Sequence, residues 1–108
     1  MAHADVEQVR VLFLNATNRL LGNEVVSHGS IAEAPLHARP ILKRALELGA
    51  TALIVVHNHP SGDPTPSPSD IDATRRLVEA ARLLDIAVHD HLIIGHGRMT
   101  SFRERQLI

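Results

Sequence analysis

Two histidines one residue apart, His57 and His59, follow directly on the apolar run Ala52-Leu-Ile-Val-Val56, and Asp70 comes eleven residues later in Ser67-Pro-Ser-Asp70. Imidazole nitrogen and carboxylate oxygen are donors that a divalent cation such as zinc accepts. In an extended strand alternate side chains share a face, so His57 and His59 can converge on one ion if the strand reaches them. Two imidazoles and one carboxylate leave the fourth tetrahedral position to water, which separates a catalytic zinc site from a closed structural one. Each piece also has an ordinary reading. Ser67-Pro-Ser-Asp70 is what a helix start looks like, with Ser at the N-cap, Pro at the first helical position and an acid at the third. His57 and His59 could simply be polar residues ending a buried strand, and His89-Asp-His91 shows how cheaply the spacing arises. Placement favours the site: both features stand at the ends of one loop, just past the C-terminal end of a strand, where ligands gather in α/β sheets.

The elements that must position these residues are legible in outline. Val6 to Leu14 is rich in β-branched and apolar residues and ends at the turn-forming Asn15-Ala-Thr-Asn18, so it reads as a strand, with Leu20 to Val26 returning beside it. From Pro40 the residues Ile41, Leu42, Ala45, Leu46 and Leu48 recur at helical spacing, with Pro40 suited to the first helical position and Gly49 to the residue past the end. Ala52 to Val56 suits a strand buried on both faces. The stretch Pro60 to Pro68 holds four of the six prolines and reads as a stiff loop, with Asp63 a turn residue beside Gly62. Ile71, Thr74, Leu77, Val78, Ala81 and Leu84 then give a second helix, Ile86 to Ile94 a strand, and Gly95-His-Gly97 a turn into Arg98 to Phe102. The order β-β-α-β-α-β-β implies an α/β fold, a mixed sheet flanked by helices.

Composition narrows the function classes. The 108 residues, 44% of them apolar, suffice for one core, so residues 1–108 read as a single domain. A formal net charge of −1 provides no field to attract nucleic acid or an anionic membrane. The absence of cysteine rules out disulfides and thiolate ligands and fits the cytoplasm, and no apolar run approaches the roughly 20 residues of a membrane span. A zinc deaminase needs Pro-Cys-x-x-Cys and a zincin protease His-Glu-x-x-His, and neither string occurs. An HNH-type nuclease, suggested by His57-Asn-His59, would be expected on a basic chain with aromatic stacking residues, whereas this one has two Phe and no Trp or Tyr. Of the eight histidines, His3, His28, His37, His89 and His96 read as surface residues.

The string His57-x-His59, seven residues, then Ser67-x-x-Asp70 resembles the signature of the JAMM/MPN+ metalloproteases. With its surroundings, His57-Asn-His-Pro-Ser-Gly-Asp-Pro-Thr-Pro-Ser67 and Asp90-His-Leu-Ile-Ile-Gly95, it is similar to the C-terminal domain of the bacterial RadC family, and the likeness runs from Val6 to Arg105. The resemblance implies a cytidine-deaminase-like architecture and a Zn2+ ion held by His57, His59 and Asp70. It gives Ser67 the hydrogen bond to the water or the developing oxyanion, and Glu7 the role of general base, with Glu24 the competing glutamate. The implied reaction is hydrolysis of a peptide or isopeptide bond by zinc-activated water, the partner a peptide or protein substrate, with direct nucleic-acid binding not expected of this domain alone. Asp90 and His91 could support the ligating histidines, or could be a polar pair on a strand surface. The family usually carries a helix before its first strand, and only six residues precede Glu7 here, so a homodimer could supply cover for the sheet near Val9 and Val11. The alternative implied by the family's name is a non-catalytic zinc-binding module acting in DNA repair.

Overall fold

A computed structural model describes residues 7–29, 36–59 and 62–108, with residues 27–29 as backbone only. The elements run β1 (Glu7–Leu14), β2 (Leu20–Gly29), α1 (Ala38–Leu48), β3 (Ala52–Asn58), α2 (Pro68–Arg82), β4 (Ala87–Gly95) and β5 (Arg98–Ser101). They form a five-stranded sheet in the order β2-β1-β3-β4-β5, antiparallel except for the parallel pair β3–β4. This is the mixed α/β sheet that the order of elements implies, and it is consistent with the JAB/MPN fold.

Local chemistry explains most boundaries. β1 ends where the Asn15 side chain accepts from the Thr17 amide at 3.0 Å, the Thr17 hydroxyl at 2.9 Å and the Arg19 amide at 2.9 Å, closing the turn into β2. α1 begins at Ala38, two residues before the proline expected to open it; His37 makes no side-chain cap, so the sequence carries no start signal there. Pro40 is tolerated because the first amides of a helix have no intrahelical partner. Gly49, at φ 70°, ends the helix. Of the apolar residues at helical spacing, Ile41, Leu42 and Ala45 are buried, whereas Leu46 points to solvent. α2 opens with the expected Ser67 N-cap and Pro68, and closes at Arg82, which leaves Leu84 beyond the helix and exposed.

Both crossovers, β2–α1–β3 and β3–α2–β4, join parallel strands and step the same way across the sheet, so the right-handed rule places both helices on one face. They touch there. The core lies between: Val9, Val11 and Phe13 of β1, Leu53 and Val55 of β3 and Val88 of β4 pack with Ile41, Leu42 and Ala45 of α1 and Leu77 and Ala81 of α2. Val9 and Val11 are thus covered by this chain's own helices, so the shielding that a homodimer could supply is provided within the chain. Among the described residues, no helix is long and apolar enough to cross a membrane.

Two local irregularities aim the strand ends. In the β3–β4 ladder Leu53 faces Val88 and Ile54 faces Asp90, so His89 is an extra residue that changes the parity of β4. Val88 and His91 therefore both face the core. Arg103 takes up the carbonyls at this bulge, donating to those of His89 and Val88. Farther along, the loop after β3 is stitched to the β4–β5 turn: the His59 amide donates to the Ile94 carbonyl at 3.0 Å and the His96 amide to the Gly62 carbonyl at 3.1 Å. The approach is so close that a Cβ on Gly95 would stand 2.0 Å from the Gly62 carbonyl oxygen. Gly95→Ala should therefore displace the His59 loop and lower stability by about 1–3 kcal/mol, the usual cost of overpacking, read as a shift in the urea midpoint. An unchanged midpoint would contradict the close approach.

Candidate metal centre

Three elements deliver the chemistry to one spot. On β3, Leu53, Val55 and His57 alternate onto the core face, and His59 follows just past the strand end. On antiparallel β1, Val9 faces His57, so Glu7, two residues earlier on the same face, falls beside His59. On α2 the buried stripe is Asp70, Thr74, Leu77 and Ala81, at spacings of four, three and four, so Asp70 heads the helix face that covers the sheet. Its backbone is fixed by a capping box: the Asp70 amide donates to Ser67 Oγ at 3.0 Å and the Ser67 amide to Asp70 Oδ2 at 2.9 Å.

The resulting distances are informative. Glu7 Oε1 lies 3.5 Å from His57 Nε2 and 3.7 Å from His59 Nε2. Asp70 Oδ2 lies 3.4 Å from His59 Nε2, and Asp70 Oδ1 3.7 Å from His57 Nδ1. All four exceed ordinary hydrogen bonds, which for N–H···O end near about 3.2 Å. The three that join Glu7 Oε1, Asp70 Oδ2 and the Nε2 atoms of His57 and His59 match the spacing of atoms sharing one ion, since ligands at about 2.1 Å in a tetrahedron stand about 3.4 Å apart; the fourth involves the opposite nitrogen of the His57 ring. The tightest group of ligand atoms, all within 4.8 Å of one another, is that of Glu7, His57 and His59. Asp70 adjoins this group through the two imidazoles.

Protonation points the same way. His59 Nδ1 lies 2.8 Å from the Asp63 carbonyl, which can only accept, so Nδ1 carries a proton and Nε2 is the nitrogen that faces the two carboxylates. His57 is 1% exposed, and burial pushes its pKa down to about 4, with the Asp70 carboxylate opposing and His59 reinforcing the shift. Neither of its ring nitrogens has a hydrogen-bond partner. Buried polar atoms are ordinarily paired. A neutral His57 imidazole without a hydrogen-bond partner, the His59 Nε2 beside it, and two carboxylates alongside form a donor set that suits a divalent cation.

The other sequence expectations sort cleanly. Glu24, the competing glutamate, bonds Arg44 of α1 at 2.9 to 3.1 Å and its carboxyl is held below the usual range by that guanidinium; it takes no part in the cluster. His37 and His96 are exposed, and half-buried His89 bonds the Asn18 side chain; His3 and the side chain of His28 lie outside the described residues. Asp63 forms the expected turn, accepting from the Thr65 amide and hydroxyl, beside Gly62 at φ 83°. Asp90 accepts from the His91 amide, the Ser101 hydroxyl and the Arg103 amide, and so anchors β5. His91 does not belong to a surface pair: it is 1% exposed, with burial pushing its pKa down to about 3. Thr74, which sequence reasoning counted as one more residue on a helical stripe, bonds both His91 and the Asp70 carbonyl.

A protein of Rhodobacter capsulatus designated UPF0758 is 52% identical over 108 residues, all of this chain and 50% of that protein. The family model of the RadC-like JAB domain matches residues 1–107. The chain belongs to the RadC-like JAB family. It spans about half the length of the curated relative it matches. Within this RadC-like JAB domain, the buried Glu7, His57 and His59 group could bind a metal ion, in keeping with metal binding in the JAB family.

The lowered values for His57 and His91 set an acid limit on the metal-free fold. Between the ordinary 6.5 and the folded values of about 4 and 3, the unfolded chain binds protons that the folded chain refuses. Stability is thus complete above about pH 6.5 and falls as the pH drops toward 4. Urea midpoints measured with chelator from pH 7.5 to 4.5 should decline over that window. Midpoints flat from pH 7 to 5 would mean that neither imidazole is buried neutral.

Proposed function

We propose that this domain is a zinc-dependent metallohydrolase of peptidase or isopeptidase type, in which His57, His59 and Asp70 hold the ion. The observation that supports this reading is the approach of Glu7 Oε1 to Nε2 of buried His57 and of half-buried His59, at 3.5 and 3.7 Å, with Asp70 Oδ2 3.4 Å from His59 Nε2, beyond hydrogen bonding and at ligand spacing. A zinc ion there supplies a water acidified toward a pKa of about 7 and a Lewis acid for a substrate carbonyl.

The chain's own groups account for the rest. Asp70 is the better ligand because its main chain and one carboxylate oxygen are already fixed by the capping box, so little freedom is lost on binding. Glu7 has the longer side chain and reaches both imidazoles from the opposite strand. It takes the proton of the attacking water and returns it to the leaving amine, the usual work of a general base turned acid. Ser67 Oγ accepts from the Asp70 amide and still has its own proton to donate to the oxygen that gains negative charge. A cysteine-free site of this kind suits the cytoplasm.

Elemental analysis paired with variants tests the assignment. The wild-type protein should hold about one zinc per chain, Asp70→Ala little, and Glu7→Gln the full amount while losing hydrolysis of peptide and isopeptide libraries. If Glu7→Gln strips the metal and Asp70→Ala keeps it, the two carboxylates exchange roles. A wild type that binds zinc and cleaves nothing would instead be an interaction module. For Ser67→Ala, turnover should fall by about 10²–10³ with zinc retained. Because Ser67 is also the N-cap, that variant should lose about 1 kcal/mol of stability, a Tm drop of several degrees.

A further inference from the structure

Among the described residues, His91 is the one fully buried histidine that the proposed chemistry leaves unused. Its Nδ1 lies 2.6 Å from Thr74 Oγ1, which in turn donates to the Asp70 carbonyl at 2.7 Å. A carbonyl only accepts and a threonine hydroxyl has one proton, so the Thr74 proton is committed to Asp70 and the hydroxyl must accept from His91. His91 therefore carries its hydrogen on Nδ1. Its ring stacks on Phe102 with centroids 4.2 Å apart and planes inclined by 15°, and on His57 at 5.6 Å and 28°. The Phe102 amide donates to the His91 carbonyl at 3.0 Å, which fixes that side of the stack.

We infer that His91 and Thr74 are positioning residues for the metal centre: the chain His91 Nδ1–H to Thr74 hydroxyl to Asp70 carbonyl sets the first turn of α2, and the His91 ring backs His57. This rests on reading the cluster as a metal site. It differs from the usual support of a ligating histidine, in which the partner accepts the histidine's second N–H. Here the support reaches the carboxylate through its main chain, and reaches the imidazole through ring contact. The Asp70 residue is consequently fixed at three points: its amide and one carboxylate oxygen by Ser67, and its carbonyl by Thr74.

The test uses isosteric and conservative pairs. Thr74→Val keeps the volume and removes the hydroxyl; Thr74→Ser keeps the hydroxyl. His91→Phe keeps the stacking and removes the donor; His91→Asn places an amide N–H near the position of Nδ1. With all four folded by circular dichroism, zinc Kd should rise about 10–100-fold in Thr74→Val and His91→Phe, as is typical when support behind a ligand is lost, and return close to wild type in Thr74→Ser and His91→Asn. A merely structural role would lower Tm in the variants without this split in affinity. Nitrogen-15 shifts of the metal-free wild type should show His91 protonated on Nδ1. Thr74→Val binding zinc like wild type, or His91 protonated on Nε2, overturns the inference while leaving the metal site standing. A wild type that binds no zinc overturns both.

Discussion

Two carboxylates and two imidazoles meet in a largely buried space at the end of the sheet, and much of the surrounding structure is arranged to keep them there. Such a grouping is unfavourable on its own, since taking charge out of water costs free energy and like charges oppose each other. A cation among them turns each of these terms favourable. The fold tolerates the arrangement because every one of the four groups is anchored by something other than its neighbours. Two ride on a strand end, one on the opposing strand, and one on a capped helix turn.

Register is what brings them together. β1 and β3 run antiparallel with Val9 opposite His57, and a slip of one residue would send Glu7 to the far face along with Val9, Val11 and Phe13. The same hydrophobic residues that fill the core thus specify where the acid goes. On the other flank, the extra residue at His89 rotates the later part of β4 so that His91, and not Asp90, meets the core. Core packing and site geometry are set by one set of strand pairings.

Much of this was readable from residue types. The apolar run before His57, the helix start at Ser67 and the two-residue period of the histidines locate three groups on two elements without knowledge of the fold. The strand and helix order follows from local punctuation, with errors of a residue or two where that punctuation is weak, as at His37. What the residues alone do not disclose is long-range. Nothing in Val6 to Leu14 reveals which strand pairs with it, and Glu7 was reached through family resemblance. The bulge in β4 leaves no mark in a sequence where His89 and His91 look alike. Thr74 was hidden because a threonine on a buried stripe is indistinguishable from filler until its partners are seen.

The placement of Asp70 ties the site to the weakest part of any helix. Terminal turns fray first, opening on a free-energy scale well below that of global unfolding. On the proposed reading, an ion held in part by the first turn of α2 would add to the Ser67 and Thr74 hydrogen bonds that already pin that turn, and the helix end would in turn influence how readily the ion escapes. Release of metal and opening of that turn would then be coupled, and the lifetime of a loaded state would depend on backbone dynamics at Ser67 to Asp70 as well as on the bonds to the ion.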